Sequence, residues 1–141
     1  MKRRIFISSI ILLTVLSLGI SLSYGKSIKE KLPEERVNEL IKNKKPFMMD
    51  FYADWCPPCN AMKPVLEELG KKYKGRVEIV RVNVDMPEND ALVVKHRIVS
   101  IPTFIFINSK GEISKKIIGY SDMEVMENEF KKLLQPGKSG K

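Results

Sequence analysis

Hydrophobic positions along the chain change period several times, and each change predicts an element. Ile5 to Ile20 is almost wholly apolar and carries no charge. Pro33-Glu34-Glu35 then opens a helical pattern through about Asn43, with Val37, Leu40 and Ile41 on one face. Pro46 separates it from Phe47-Met48-Met49-Asp50-Phe51-Tyr52, a nearly continuous apolar run of strand length that suits a central strand covered on both faces. From Cys59 to about Tyr73, Met62, Val65, Leu66, Leu69 and Tyr73 recur at helical spacing, and the pattern continues past Pro64, which predicts a kink rather than an end. Val77–Val84, β-branched and bounded by Gly75 and Pro87, reads as a second central strand, and Asn89-Asp90 as the cap of a short helix to about Lys95. Thr103–Asn108 and Glu112–Ile118 flank the turn Asn108-Ser109-Lys110-Gly111 as an antiparallel hairpin ended by Gly119. Ser121-Asp122-Met123-Glu124 has capping-box spacing and opens a last helix to about Leu134, with Gln135 to Lys141 left as a polar tail. The order β-α-β-α followed by a hairpin and a helix predicts an α/β domain with a parallel pair joined by a crossover helix.

The first apolar run is not read as part of that domain. Lys2, Arg3 and Arg4 precede it and Ser23-Tyr24-Gly25 follow it, the pattern of an export signal over residues 1–25 cleaved before Lys26. The alternative is an uncleaved N-terminal anchor, since Ile5 to Tyr24 is 20 residues, enough to span a bilayer. Either way the domain over residues 26–141 is expected outside the cytoplasm, periplasmic or secreted, with the membrane involved only through residues 1–25 if they are retained. Removing residues 1–25 takes away three basic groups and no acid, so the net charge falls from +8 to +5. The remaining lysines alternate with glutamates, as between Lys26 and Glu35, and no arginine run interleaves with aromatics. They read as a solvated face, and no nucleic-acid partner is expected.

Composition changes the picture at one place. The chain has two cysteines, Cys56 and Cys59, where the apolar strand gives way to the helical pattern. At the start of a helix that spacing sets two sulfurs across one turn, within reach of a disulfide. The helix N-terminus favours the thiolate of Cys56 as nucleophile, and Cys59, one turn in and expected to be the more buried, resolves the mixed disulfide. Pro57-Pro58 suits the first helical turn but offers no N–H to the thiolate. A purely structural bridge closing so short a loop would remove little entropy from the unfolded chain. A metal site usually wants three or four ligands, and the one histidine, His96, lies 37 positions beyond Cys59 near the end of a short helix, where a surface or structural role is expected. No metal and no cofactor is expected. Asp50 is the anomaly in the central strand. Its side chain either escapes at the sheet edge, or is buried with a raised pKa and exchanges a proton with Cys59.

Trp55-Cys56-Pro57-Pro58-Cys59, with Asp50 six positions before Cys56, Pro64 five after Cys59, and Ile101-Pro102-Thr103 downstream, resembles the thioredoxin family over about Glu34 to Leu134. The resemblance implies a thioredoxin-like fold, a central mixed sheet of four or five strands flanked by helices. It implies Cys56 as attacking and Cys59 as resolving cysteine, Asp50 as the acid handling the Cys59 proton, and Pro102 as a cis proline beside the disulfide. Trp55, Pro57, Pro58, Ile101, Thr103 and Gly119, with Tyr120, would form the substrate groove, where Ile101 pairs with an extended substrate segment. Arg81 stands where many thioredoxins have a lysine partner for the buried acid, a tuning role. Pro57 replaces the glycine of the commonest motif, and the Pro-Pro pair is similar to tryparedoxins among others. Only 43 positions separate Cys59 from Pro102. That leaves no room for the helical insertion of the periplasmic oxidase branch, and little for the insert of cytochrome-maturation thioredoxins. Met49 to Cys56 looks like the exported C-terminal domain of the transmembrane disulfide reductase, here free-standing. The expected activity is therefore extracytoplasmic thiol–disulfide exchange by a monomer that reduces disulfides of exported proteins and is recharged by a membrane redox partner. The alternatives are a disulfide oxidase or isomerase and, from other classes, a peptide-binding holdase module or a metal-handling protein.

Overall fold

The computed structural model describes residues 31–135. The leader expected over residues 1–25 and the tail beyond Gln135 lie outside the described residues. Helix α1 (Pro33–Lys42) has proline in its first turn, Glu34 and Glu35 beside it, and Lys42 in its last turn. Each charge complements the helix dipole. Strand β1 (Phe47–Tyr52) leads into helix α2 (Pro57–Lys72), which starts two residues earlier than its apolar pattern suggested and runs on through Pro64. Then come β2 (Glu78–Asn83), a single 3₁₀ turn (Pro87–Asn89), α3 (Asp90–Lys95), β3 (Thr103–Ile107), β4 (Ile113–Ile118) and α4 (Met123–Leu133).

The sheet has the order β2-β1-β3-β4. β1 pairs parallel with β2 and antiparallel with β3, and β3 pairs antiparallel with β4. Two-residue alternation divides the core. Met48, Phe104 and Phe106 meet α2 and α4 through Met62, Leu66, Leu69, Met126, Phe130 and Leu133 on one face. On the other, Phe47, Met49, Phe51 and Ile105 meet α1 and α3 through Val37, Leu40 and Leu92. The apolar run of β1 is continuous because both faces are covered. The parity also fixes which face each polar residue of a strand must share, and Asp50 and Tyr52 have the parity of Met48.

Four expectations are corrected. In a sheet that has the expected four strands among the described residues, β2 is at the edge rather than central, so alternate residues of β2 are half-exposed or exposed. Ile41, placed by periodicity with Val37 and Leu40, is exposed. Asn89 does not cap α3 with its side chain; its Nδ2 donates instead to the Asn83 carbonyl (2.8 Å) and ties the turn to the end of β2. The capping box does not form either: Asp122 is the N-cap of α4, without a side-chain cap bond, and Ser121 is buried with its N–H directed at Met62 Sδ (3.4 Å). In both places the residue makes a contact away from the helix end, through another of its polar groups, in place of the side-chain cap that local spacing had assigned to it.

Candidate active site

Cys56 is the N-cap of α2, extended at φ −85° and ψ 110°. The next two residues are prolines, so the first N–H of the helix belongs to Cys59, and it donates to Cys56 Sγ at 3.3 Å. The cysteines form a disulfide, with Cα atoms 5.3 Å apart. Cys59 is not the more buried of the two: both residues are 2% exposed. Position separates them instead. Cys56 stands at the positive end of the helix and receives its first N–H, and Cys59 supplies that N–H from within the helix.

Apart from Trp55, the side chains that hold the loop before Cys56 are ones that the sequence did not single out. Trp55, 69% exposed, donates from Nε1 to Asp85 Oδ2 (2.8 Å) just beyond β2. Asn60 Nδ2 donates to the Asp54 carbonyl (3.0 Å), and Asn83 Nδ2 donates to Asp54 Oδ2 (3.3 Å). The Asp85 N–H donates to Asn83 Oδ1 (3.0 Å) and closes the set. Trp55 and Asp85, and Asp54 and Asn83, are about thirty residues apart and become neighbours only through the parallel register of β1 and β2, Tyr52 opposite Asn83. No spacing rule along the chain would have found them.

Ile101 packs against the cluster of Ala53, Cys56 and Cys59, and the Ile101–Pro102 peptide bond is cis. Pro102 is buried, and its carbonyl accepts the Gly119 N–H at 2.8 Å. Gly119 has φ +86°, a region other residues enter at a cost, although a Cβ there would meet no heavy atom within 4 Å. Gly119→Ala is therefore expected to cost about 1 kcal/mol through backbone strain alone, read as a lower midpoint in urea. Pro57, Pro58 and Tyr120 are exposed, as a rim requires. Thr103 departs from the expected groove. It is buried, has the parity of Ile105 and Ile107 on the α1/α3 face, and donates its hydroxyl to the Ser100 carbonyl (2.6 Å). That bond turns the backbone at the start of β3.

Asp50 does not escape at a sheet edge. It is 1% exposed in the inner strand β1, on the face covered by α2. Burial pushes its carboxyl above the usual range, and the hydrogen bond and charge of Arg81 partly oppose the rise. Arg81 Nε donates to Asp50 Oδ2 at 3.0 Å from the opposing position of β2. His96 caps the C-terminus of α3 and lies 6.0 Å from the Phe51 ring, on the face away from Asp50. Burial first, then Lys95 and Lys116, lower its pKa. Among the described residues no group of three His, Cys, Asp or Glu side chains is gathered as metal ligands. The arrangement offers one chemistry, reversible exchange at a helix-capped dithiol, with a buried acid on the sheet face that α2 covers.

The thioredoxin family model matches residues 28–132. The chain is 36% identical to a thioredoxin of Alicyclobacillus acidocaldarius, over 74% of this chain and 96% of the relative. It is 35% identical to the thiol:disulfide interchange protein TxlA homolog of Synechocystis sp., over 67% of this chain and 52% of that protein. Among solved structures, oxidised mitochondrial thioredoxin 3 of Saccharomyces cerevisiae superposes with a TM-score of 0.60 at 31% identity, covering 70% of this chain and 89% of that one. The matched segment takes in the whole sheet and both cysteines, and the chain belongs to the thioredoxin family as a thiol–disulfide oxidoreductase.

Proposed function

We propose that this oxidoreductase works outside the cytoplasm and reduces disulfides of exported proteins. The Cys56 thiolate attacks a substrate disulfide, a Cys56–substrate disulfide forms, and one substrate sulfur leaves as a thiolate that takes up a proton. Cys59 then passes its proton to Asp50 and attacks Cys56 Sγ. The second substrate thiolate leaves, and the Cys56–Cys59 disulfide remains. Two electrons have moved from the protein dithiol to the substrate, and a membrane redox partner must return them. Trp55, Pro57, Pro58, Ile101 and Tyr120 line the groove in this reading, and Pro102 and Gly119 shape its floor.

The observation that carries the direction is the single N–H at Cys56 Sγ. With Pro57 and Pro58 in the first turn, the helix gives that sulfur one donor, the N–H of Cys59. A strong oxidant needs a strongly stabilised reduced form. One donor stabilises a thiolate less than the several that a proline-free helix start presents. The basic and apolar sequence of residues 1–25 supports the location. The test is the equilibrium reduction potential of the purified chain against a dithiothreitol or glutathione series. A value near about −270 mV, that of thioredoxin, is expected; a value above about −150 mV, toward the strong oxidants, would reverse the direction and make it an oxidase.

A further inference from the structure

We propose that Tyr52 is a positioning residue whose ring holds the Arg81 guanidinium on Asp50 and keeps it from turning into the neighbouring cleft beside Glu67. Arg81 Cζ lies 3.7 Å from the centre of the Tyr52 ring while its Nε donates to Asp50 Oδ2 at 3.0 Å. The register makes both contacts possible at once. Asp50 and Tyr52 share one face of β1, two residues apart, and Arg81 stands directly across from Asp50 on edge strand β2. A planar guanidinium can donate from its edge and stack on its face; the ammonium of a lysine is a point charge with no such second surface.

The competing position is visible. The Arg81 side chain is 38% exposed, so more than a third of its surface is not fixed by packing. It lines a cleft of about 250 Å³ between α2 and β2, together with Lys63, Leu66, Glu67, Gly70 and Ile79. Glu67 is a solvated carboxylate on that cleft, and Lys63 the other cation there. Pairing with the buried acid costs Arg81 part of its own hydration, a cost that Glu67 in open solvent would not impose, so a further contact is needed to favour Asp50. The ring of Tyr52 supplies that preference. Tyr52 also packs against the Ala53, Cys56 and Cys59 cluster, which joins the clamp to the redox pair. Asp50 is bonded to Arg81 on β2, shares its face of β1 with Tyr52 and opposes Phe104 on β3, while α2, which covers that face, carries Cys59 and, on the Arg81 cleft, Lys63 and Glu67.

The role in catalysis rests on Asp50 as proton acceptor for Cys59, and the two ideas are tested by different readouts. The clamp is read from the carboxyl carbon of Asp50 by ¹³C NMR titration of the full reduced chain. Tyr52→Leu is expected to move that titration upward by about 0.5–1 pH unit. Tyr52→Phe, which keeps the ring, is expected to leave it in place. In an Arg81→Met background the further change Tyr52→Leu is expected to add nothing. A shift equal in the Phe and Leu variants, a shift that persists without Arg81, or no shift at all would each overturn the clamp. Tyr52→Met serves if the leucine variant does not fold. The Asp50 reading is tested separately, by the pH profile of chromophore release from a thionitrobenzoate mixed disulfide on Cys56. Asp50→Asn should remove the profile's inflection, and Tyr52→Leu should move it with the NMR titration. If Asp50→Asn leaves the inflection, the proton role fails whatever the clamp does.

Discussion

Cys56→Ser is expected to reduce disulfide exchange with a protein substrate to the uncatalysed background, a loss on the order of 10³-fold or more, with the fold intact. Serine keeps the shape of the N-cap but not a nucleophile that ionises near neutral pH. The fold survives because the lost bridge closes only the short loop between residues three apart. In the chain-entropy account that is at most about 2 kcal/mol, against about 5–15 kcal/mol for a domain. Cys59→Ser is expected to behave differently. It keeps the attacking thiolate and loses the group that releases the substrate, so covalent complexes through Cys56 should accumulate and dissolve on addition of dithiothreitol. The trapped proteins identify the compartment. Complexes formed in intact cells with exported proteins would bear out the proposed location, and complexes confined to cytoplasmic proteins would sink it. Undiminished activity of Cys56→Ser would mean that the groove, and not the thiol, carries the function.

Asp50→Asn is expected to stabilise the oxidised protein at neutral pH, by about 1.4 kcal/mol for each pH unit that separates the folded from the unfolded pKa of the carboxyl. The sign turns on which partner is left behind. Removing one member of a fully buried pair strands a charge, but Arg81 is partly exposed and can reach water and the cleft beside Glu67. The charge actually enclosed is that of Asp50. Its folded pKa is raised, above all by burial, against an unfolded value of about 3.9. Below pH ~4 the carboxyl is protonated in both states and costs nothing. As pH rises, the unfolded chain releases its proton first, and wild-type stability falls by about 1.4 kcal/mol per pH unit until the folded carboxyl ionises as well. Urea denaturation of both proteins from pH 4 to pH 8 checks this. The two should converge at the acid end and separate as pH rises. Parallel curves, or an asparagine variant less stable throughout, would show that the Arg81 pair outweighs burial.

Legibility from sequence followed the range of the interaction. The helix-start dithiol, the central strand and the hairpin with its Asn108–Gly111 turn are set by residues a few positions apart, and all formed where the pattern put them. The failures occurred where a residue had two partners to choose from. Asn89 and Ser121 had local cap roles and took tertiary ones. Thr103 sits in a motif that suggests the groove, yet one residue of strand parity turns its side chain to the other face. The difference in burial expected between Cys56 and Cys59 is absent: both belong to one cluster with Ala53, against which Tyr52, Val84 and Ile101 pack.

What the sequence determined by itself is the chemistry: two thiols one helical turn apart, two prolines that withhold their N–H groups, and an acid where an apolar strand should have none. These are properties of residue type and short spacing, and no arrangement of the rest of the chain removes them. How that chemistry is held depends on the folded chain. The pairing of Trp55 with Asp85, of Asp54 with Asn83, and of Asp50 with Arg81 beneath the Tyr52 ring all depend on the parallel register of β1 and β2. Register is fixed by which faces the whole sheet must bury, a condition summed over the domain and carried by no single stretch of it.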